Sequence, residues 1–287
     1  MIRALLFLLC LACPLSAREV DVYLLGGQSN MQGIAKLTDL PQHQLTPAPG
    51  VLFWNGREFE PLVPGKTKSS KHEGEFGPEL AFAHAIPTPG RPVFLVKYSA
   101  SGMPLDPGWN ADKWLGGEKP GRVNFYPGAN RTDPNRGRLY SAMITCFGEA
   151  IGALYKHGDT PVIRGFLWMQ GEQDAKHPLS AEHYPANLKL LRHRISEDLR
   201  VENLPIAFGQ VLPHDPPLPR FIARDQIRRQ MAACDMDSGS PLAIPRCRMI
   251  STNGFPIGTD TVHYNAKGQL LLGAALAKGV GEAMLSK

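Results

Sequence analysis

Apolar and polar positions along the chain follow two patterns. Some short runs are apolar at nearly every position and stop at glycine or a polar cluster. Residues 20–26 (VDVYLLG), 92–97 (PVFLVK), 162–169 (VIRGFLWM), 204–212 and 248–252 are of this kind, as expected of strands buried on both faces. Between them, longer segments repeat apolar residues at helical spacing. These cover residues 78–86, with Pro78 at the start, then 139–156, 181–199, 221–233 and 265–284. Strand and helix alternate, which predicts an α/β domain with a parallel sheet covered on both faces. No internal repeat or linker divides the chain. Loops that follow the carboxyl ends of the strands should then carry the functional site.

Residues 106–138 do not fit either pattern. They are rich in Gly, Pro, Asn and charge and read as one long loop. Its Trp109, Trp114, Asn124, Tyr126 and Arg131 mix aromatic and polar groups.

The first seventeen residues, MIRALLFLLCLACPLSA, place one Arg before an apolar run and end in small residues. That order is the pattern of a secretory signal peptide, so a secreted or periplasmic protein is expected. No later segment has the length and apolarity of a membrane span. Removing the leader leaves Cys146, Cys234 and Cys247. Export permits a disulfide; Cys234 and Cys247 flank a short loop and are the expected pair, with Cys146 a buried free thiol. Among 287 residues, the net charge of +5 is mild and gives no reason to propose nucleic acid as a partner. The basic helix face at Arg224, Arg228 and Arg229 reads as solvated, with an acidic polysaccharide as the alternative contact. Nothing in the chain specifies an oligomeric state.

Four polar clusters fall at predicted strand ends. GGQSNMQG, residues 26–33, puts Ser29 on a strand-to-helix turn, as a nucleophile or as an ordinary helix cap. The turn lacks the GK[ST] ending and the GxGxxG of phosphate loops, and also the G-x-S-x-G elbow. KYSASGMPL, residues 97–105, offers the Gly102 backbone N–H to a substrate oxygen. FLWMQGEQDA, residues 166–175, buries Trp168 and ends in Gln170, Glu172 and Asp174. A side-chain amide there is able to donate to an oxyanion. TDTVHYNAKG, residues 259–268, sets Asp260 three residues before His263, a spacing at which a turn lets the carboxylate orient the imidazole. Each cluster alone also reads as turn chemistry. Together they supply nucleophile, base, orienter and oxyanion donors, the set that acyl transfer requires.

The combination of GQSNM, SASG, WMQGEQD and D-x-x-H before the last helix resembles the SGNH hydrolase superfamily. Within it, the chain is similar to the carbohydrate esterase branch with sialate O-acetylesterases and family 6 acetylxylan esterases. The resemblance covers residues 20–284. It implies a three-layer α/β/α sandwich with a five-stranded parallel sheet, a flavodoxin-like arrangement, over one esterase domain of residues 18–287. It also implies removal of acetyl groups from sugar hydroxyls with no cofactor and no metal, the partner being an acetylated carbohydrate. Carried over by position, Ser29 is the nucleophile, His263 the base and Asp260 its orienter, with Glu172 as the alternative acid. The Ser29 and Gly102 amides and the Gln170 side chain form the oxyanion hole. Ser101-Gly102 stands where related sequences tend to carry Gly-Gly, which alters pocket shape rather than mechanism. The rival readings are an SGNH lipase or thioesterase, a sugar-binding module that keeps the fold, and a flavodoxin-like nucleotide binder.

Overall fold

The computed structural model describes residues 18–86 and 90–286. The signal-peptide expectation, on residues 1–17, lies outside them. Seven strands form the central sheet: β1 (Arg18–Gly27), β2 (Val51–Trp54), β3 (Phe59–Pro61), β4 (Val93–Ser99), β5 (Asp159–Met169), β6 (Ile206–Gly209) and β7 (Cys247–Ile250). Their order is β7-β6-β5-β1-β4-β2-β3. All neighbours pair in parallel except β2 and β3, which form an antiparallel hairpin at one edge.

The expected count of five strands is therefore corrected to seven. The two additions flank Asn55-Gly56, a turn dipeptide. The Asn55 side-chain oxygen accepts from the Arg57 and Glu58 amides at 2.9 and 3.0 Å, which closes the turn.

Among the described residues six α-helices accompany the sheet: α1 (Ser29–Gln32), α2 (Glu79–Ala85), α3 (Arg138–Lys156), α4 (Pro178–Leu199), α5 (Arg224–Cys234) and α6 (Ala266–Leu285). α2 packs on α6, while α3, α4 and α5 pack in succession. Tyr23 of β1 meets Phe82 of α2 edge-on at 5.2 Å. A side chain at Gly26 would run into Phe166 and into Met143 of α3. The two helix groups thus cover opposite faces of β1, giving three layers. α6 is started by Asn265, whose side chain accepts from the Gly268 amide, an N-cap worth about 1 kcal/mol. No helix among the described residues is long and apolar enough to cross a membrane.

Sheet register sets the level of the site. Gly27 pairs with Ser99 of β4 on one side and with Met169 of β5 on the other, so three strands end side by side. The chain builds the β2–β4 side first and then crosses to β5–β7. That reversal opens a crevice at the carboxyl end of β1. Gly27 has φ +147, and a Cβ on it would sit 2.1 Å from the Met169 carbonyl oxygen. Only glycine lets β1 turn out of the sheet so close to β5.

Two further expectations are corrected. Cys234 and Cys247 are buried free thiols, like the half-buried Cys146. Burial pushes Cys146 up to about 11 and Cys234 up to about 12. Residues 106–138 form the expected long loop, with one short hairpin between Trp109–Asn110 and Lys113–Trp114, but it is packed: Trp109, Asn124 and Tyr126 are buried, while Trp114 is partly buried and Arg131 is exposed. Arg122 donates to the carbonyls of Pro107, Gly116 and Gly117, and Asn124 to that of Trp109. Buried side chains thereby satisfy the backbone that a sheet would otherwise satisfy. Of the three arginines on the basic helix, Arg229 is exposed and Arg224 and Arg228 are partly buried. Arg224 donates to the Leu212 carbonyl and Arg228 to the Val211 carbonyl, so both fasten the segment after β6.

Candidate active site

Ser29 is the first residue of α1, two positions beyond the end of β1. It is 4% exposed and lines a cavity of about 340 Å³. The turn that carries it is anchored at Gln28, whose amide donates to the Met169 carbonyl at 2.9 Å. Gln28 Oε1 lies 3.3 Å from the Gln173 amide.

The loop of residues 258–265 brings the base across. His263 Nε2 lies 2.9 Å from Ser29 Oγ, and His263 Nδ1 lies 2.5 Å from Asp260 Oδ2. A carboxylate only accepts, so the proton between Asp260 and the ring sits on Nδ1. Nε2 is left with its lone pair towards the serine hydroxyl. Asp260 Oδ1 accepts from the Val262 and His263 amides, each at 2.9 Å. Partial burial pulls the Asp260 carboxyl upward, but these amides and the imidazole outweigh it and hold it below the usual carboxylate value. Thr261, between the two catalytic candidates, has φ +59. A β-branched residue in that region stores strain of about 1–2 kcal/mol.

Glu172 does not contact the imidazole by a hydrogen bond. It is 2% exposed and accepts from Asn30 Nδ2 at 2.6 Å. Burial pushes its carboxyl above the usual value, and the Asn30 bond offsets that only in part. Asn30 also donates to the Val262 carbonyl at 3.1 Å and accepts from the Tyr264 amide at 3.1 Å. One buried amide thus ties the nucleophile turn to the base loop on either side of His263. Sequence reasoning noted Asn30 only as a neighbour of the serine. Its partners are more than 140 residues away, and no local pattern signals them.

The predicted oxyanion donors separate. Ser29 and Gly102 both line the cavity, and among the described residues neither amide has an acceptor. Gly102 has φ +70, with open space where a side chain would begin. Gln170 is fully buried and does not line the cavity. Its amide donates to Asp174 Oδ2 at 2.5 Å and to the Met103 carbonyl at 3.2 Å. The structure therefore sets it behind the Gly102 loop. The physical reason is Asp174, a buried carboxylate that collects donors: the Leu105 and Asp106 amides at 2.9 and 3.0 Å and the Ser180 hydroxyl at 2.7 Å. Burial pushes the Asp174 carboxyl up to about 6 despite the Leu105 amide, and neighbouring Asp106 adds to the rise. Lys176 and Arg220 complete one wall of the cavity. Among the described residues no cluster of three or more His, Cys, Asp or Glu is arranged to hold a metal ion.

A family model described as carbohydrate esterase, sialic acid-specific acetylesterase, matches residues 19–282. No curated protein sequence matches the chain. Among solved structures, a protein from Arabidopsis thaliana is similar at TM-score 0.68 and 19% identity, covering 92% of this chain and 98% of that one. NanS is similar at TM-score 0.60 and 12% identity, with 93% and 98% covered. A carbohydrate acetylesterase from Xanthomonas citri is similar at TM-score 0.52 and 18% identity, with 90% and 55% covered. At these identities the structural likeness speaks for the shared fold.

Proposed function

The chain belongs to the sialic acid-specific acetylesterase family of carbohydrate esterases, and from that premise we propose that it cleaves sugar acetyl esters through Ser29, His263 and Asp260. Membership makes it a carboxylic ester hydrolase acting on acetylated sugars. The finer reading rests on one observation, the continuous hydrogen-bonded chain from Ser29 Oγ through His263 to Asp260.

In this mechanism His263 Nε2 takes the Ser29 hydroxyl proton as Oγ attacks the acetyl carbonyl carbon. The carbonyl oxygen becomes an oxyanion, held by the Ser29 and Gly102 amides. Asp260 stabilises the imidazolium without taking its proton. The C–O bond to the sugar breaks, and the sugar oxygen leaves with the proton from His263. Water then attacks the acetyl-enzyme, giving its proton to His263. Acetate departs and Ser29 Oγ recovers the proton. Gln170 contributes through the Met103 carbonyl and Asp174, which hold the Gly102 loop from behind.

The test is acetate release from acetylated xylan, an O-acetylated sialic acid and an aryl acetate, with Ser29→Ala beside the parent protein. The expected loss in kcat is on the order of 10⁵–10⁶-fold, with unfolding midpoints unchanged. Full activity in Ser29→Ala would falsify the assignment. Cleavage only of long-chain esters would move the chain's substrate away from sugars. We also propose export, which the order of Arg3, apolar run and Ala17 in residues 1–17 supports. An intact residue 1 in protein recovered from its native host would overturn that.

A further inference from the structure

A second and larger cavity, about 670 Å³, opens on the same carboxyl edge of the sheet. Both cavities fall in the size range of small-molecule sites. Its walls come from the ends of β2 and β4 and from residues 68–71, with the partly exposed Tyr98 at the surface and Phe53 and Trp54 almost wholly beneath it. Ser101 lines both the catalytic cavity and this one. None of Ser29, Asp260 and His263 borders it, and the ester chemistry leaves it without a task.

Two of its lining residues carry donors that are only partly used. Trp54 is 6% exposed, and its indole N–H is buried with no partner. Buried donors are almost always bonded, and an orphan is costly to keep. Lys97, whose side chain is 4% exposed, donates to Glu79 Oε2 at 2.8 Å and to the Gln32 carbonyl at 3.0 Å. An ammonium has three N–H groups, so one has no acceptor among the described residues. A partly exposed aromatic ring, Tyr98, beside unused N–H donors is chemistry that suits a sugar: its C–H groups pack on the ring and its hydroxyls accept from the donors.

We propose that this cavity is a second sugar subsite, holding the ring next to the acetylated one, so that an acetylated oligosaccharide is preferred over a monosaccharide. The inference rests on the carbohydrate esterase reading. It assigns substrate length to residues of β2 and β4 that take no part in bond breaking. The link to the catalytic cavity is short. Ser101 Oγ donates to Gln32 Oε1 at 3.0 Å, and Gln32 ends the helix that Ser29 begins.

The experiment compares kcat/KM within two pairs of probes. One pair is O-acetylated xylose and xylotriose; the other is O-acetylated N-acetylneuraminate, free and within sialyllactose. An aryl acetate serves as the common reference. In the pair that is cleaved, the longer sugar should be favoured about tenfold, through KM. Trp54→Phe keeps an aromatic ring and removes the N–H. It should cost about three- to tenfold on the longer sugar and markedly less on the shorter one. Cys146→Phe narrows the same cavity from α3 and should act in the same direction. Equal kcat/KM for short and long sugars, or equal losses on every probe in both variants, overturns the subsite alone. An aryl acetate that is not hydrolysed by the parent protein overturns the esterase reading. Hydrolysis of the aryl acetate without any cleavage of the sugars removes the substrate class, and the subsite with it.

Discussion

Ser29 and His263 meet across 2.9 Å, yet the two are held by opposite means. Ser29 sits just beyond the buried end of β1, where the sheet, Gly27 and the Gln28 amide leave the backbone one course. His263 sits on a turn whose Asp260 side chain is 48% exposed. That turn is ordered by local bonds to Asp260 and carries the strained Thr261. The core fixes the nucleophile, whereas a handful of polar contacts fixes the base. The difference teaches that the two halves of the site fail separately. Damage to the sheet removes both, while damage to the turn removes only the base and leaves the fold intact.

The largest effect expected from breaking this contrast is at Asp260. Asp260→Asn puts an amide against Nδ1 and favours the tautomer with its proton on Nε2, facing the serine. The expected loss in kcat is about 10⁴-fold, with a near-normal unfolding midpoint in urea. A loss below tenfold would return the orienting role to Glu172. The sign of the accompanying stability effect follows from its lowered carboxyl value. The contribution of Asp260 is present above the unfolded carboxylate value and fades as pH falls through the folded one.

Asn30→Ala tests the tie between the halves. It removes a donor from the buried Glu172 and an acceptor from the Tyr264 amide, at about 2–4 kcal/mol. Both readouts should therefore move, the denaturation midpoint and kcat. A kcat loss with unchanged stability would mean that Asn30 acts on the chemistry rather than on the joint.

The smallest effect concerns the Gly102 side of the site. Asp174 is pushed up to about 6, so the folded protein holds a proton there that the unfolded chain releases near pH 4. Stability should decline as pH rises from about 4 to 6, by about 3 kcal/mol in all. In Asp174→Asn that part of the slope disappears, although the variant is less stable throughout for want of an acceptor. Urea titrations at several pH values read it directly; a slope unchanged by the substitution would assign it to another group.

Much of this contrast is legible in the sequence, unevenly. The runs that became β1, β4, β5, β6 and β7 announce themselves because strands buried on both faces must be apolar throughout. The β2–β3 hairpin is too short to show a period, and its Asn-Gly turn is the only local sign. Ser29, Asp260 and His263 stand out because their residue types and spacing carry chemical meaning without the fold. Glu172 stands out as a second candidate acid, but its bond to Asn30 in place of the imidazole is not legible; Asn30 and Asp174 do not stand out, since their roles exist only through contacts with segments far along the chain. Gln170 stands out for the same reason as the serine, but its partner Asp174 turns its amide inward. A buried carboxylate four residues on decides what that amide does, and spacing alone does not reveal which donor it captures.

The three cysteines have a consequence outside catalysis. With Cys146 and Cys234 raised to about 11 and 12, and Cys247 pushed well above the ordinary thiol value by burial, almost no thiolate exists near neutral pH in the native state. Since the thiolate is the reactive form, alkylating reagents should find Cys234 and Cys247 only after α5 and β7 have come apart. The two side chains then serve as a built-in clock: the rate at which they take up label measures how often that edge of the sheet opens.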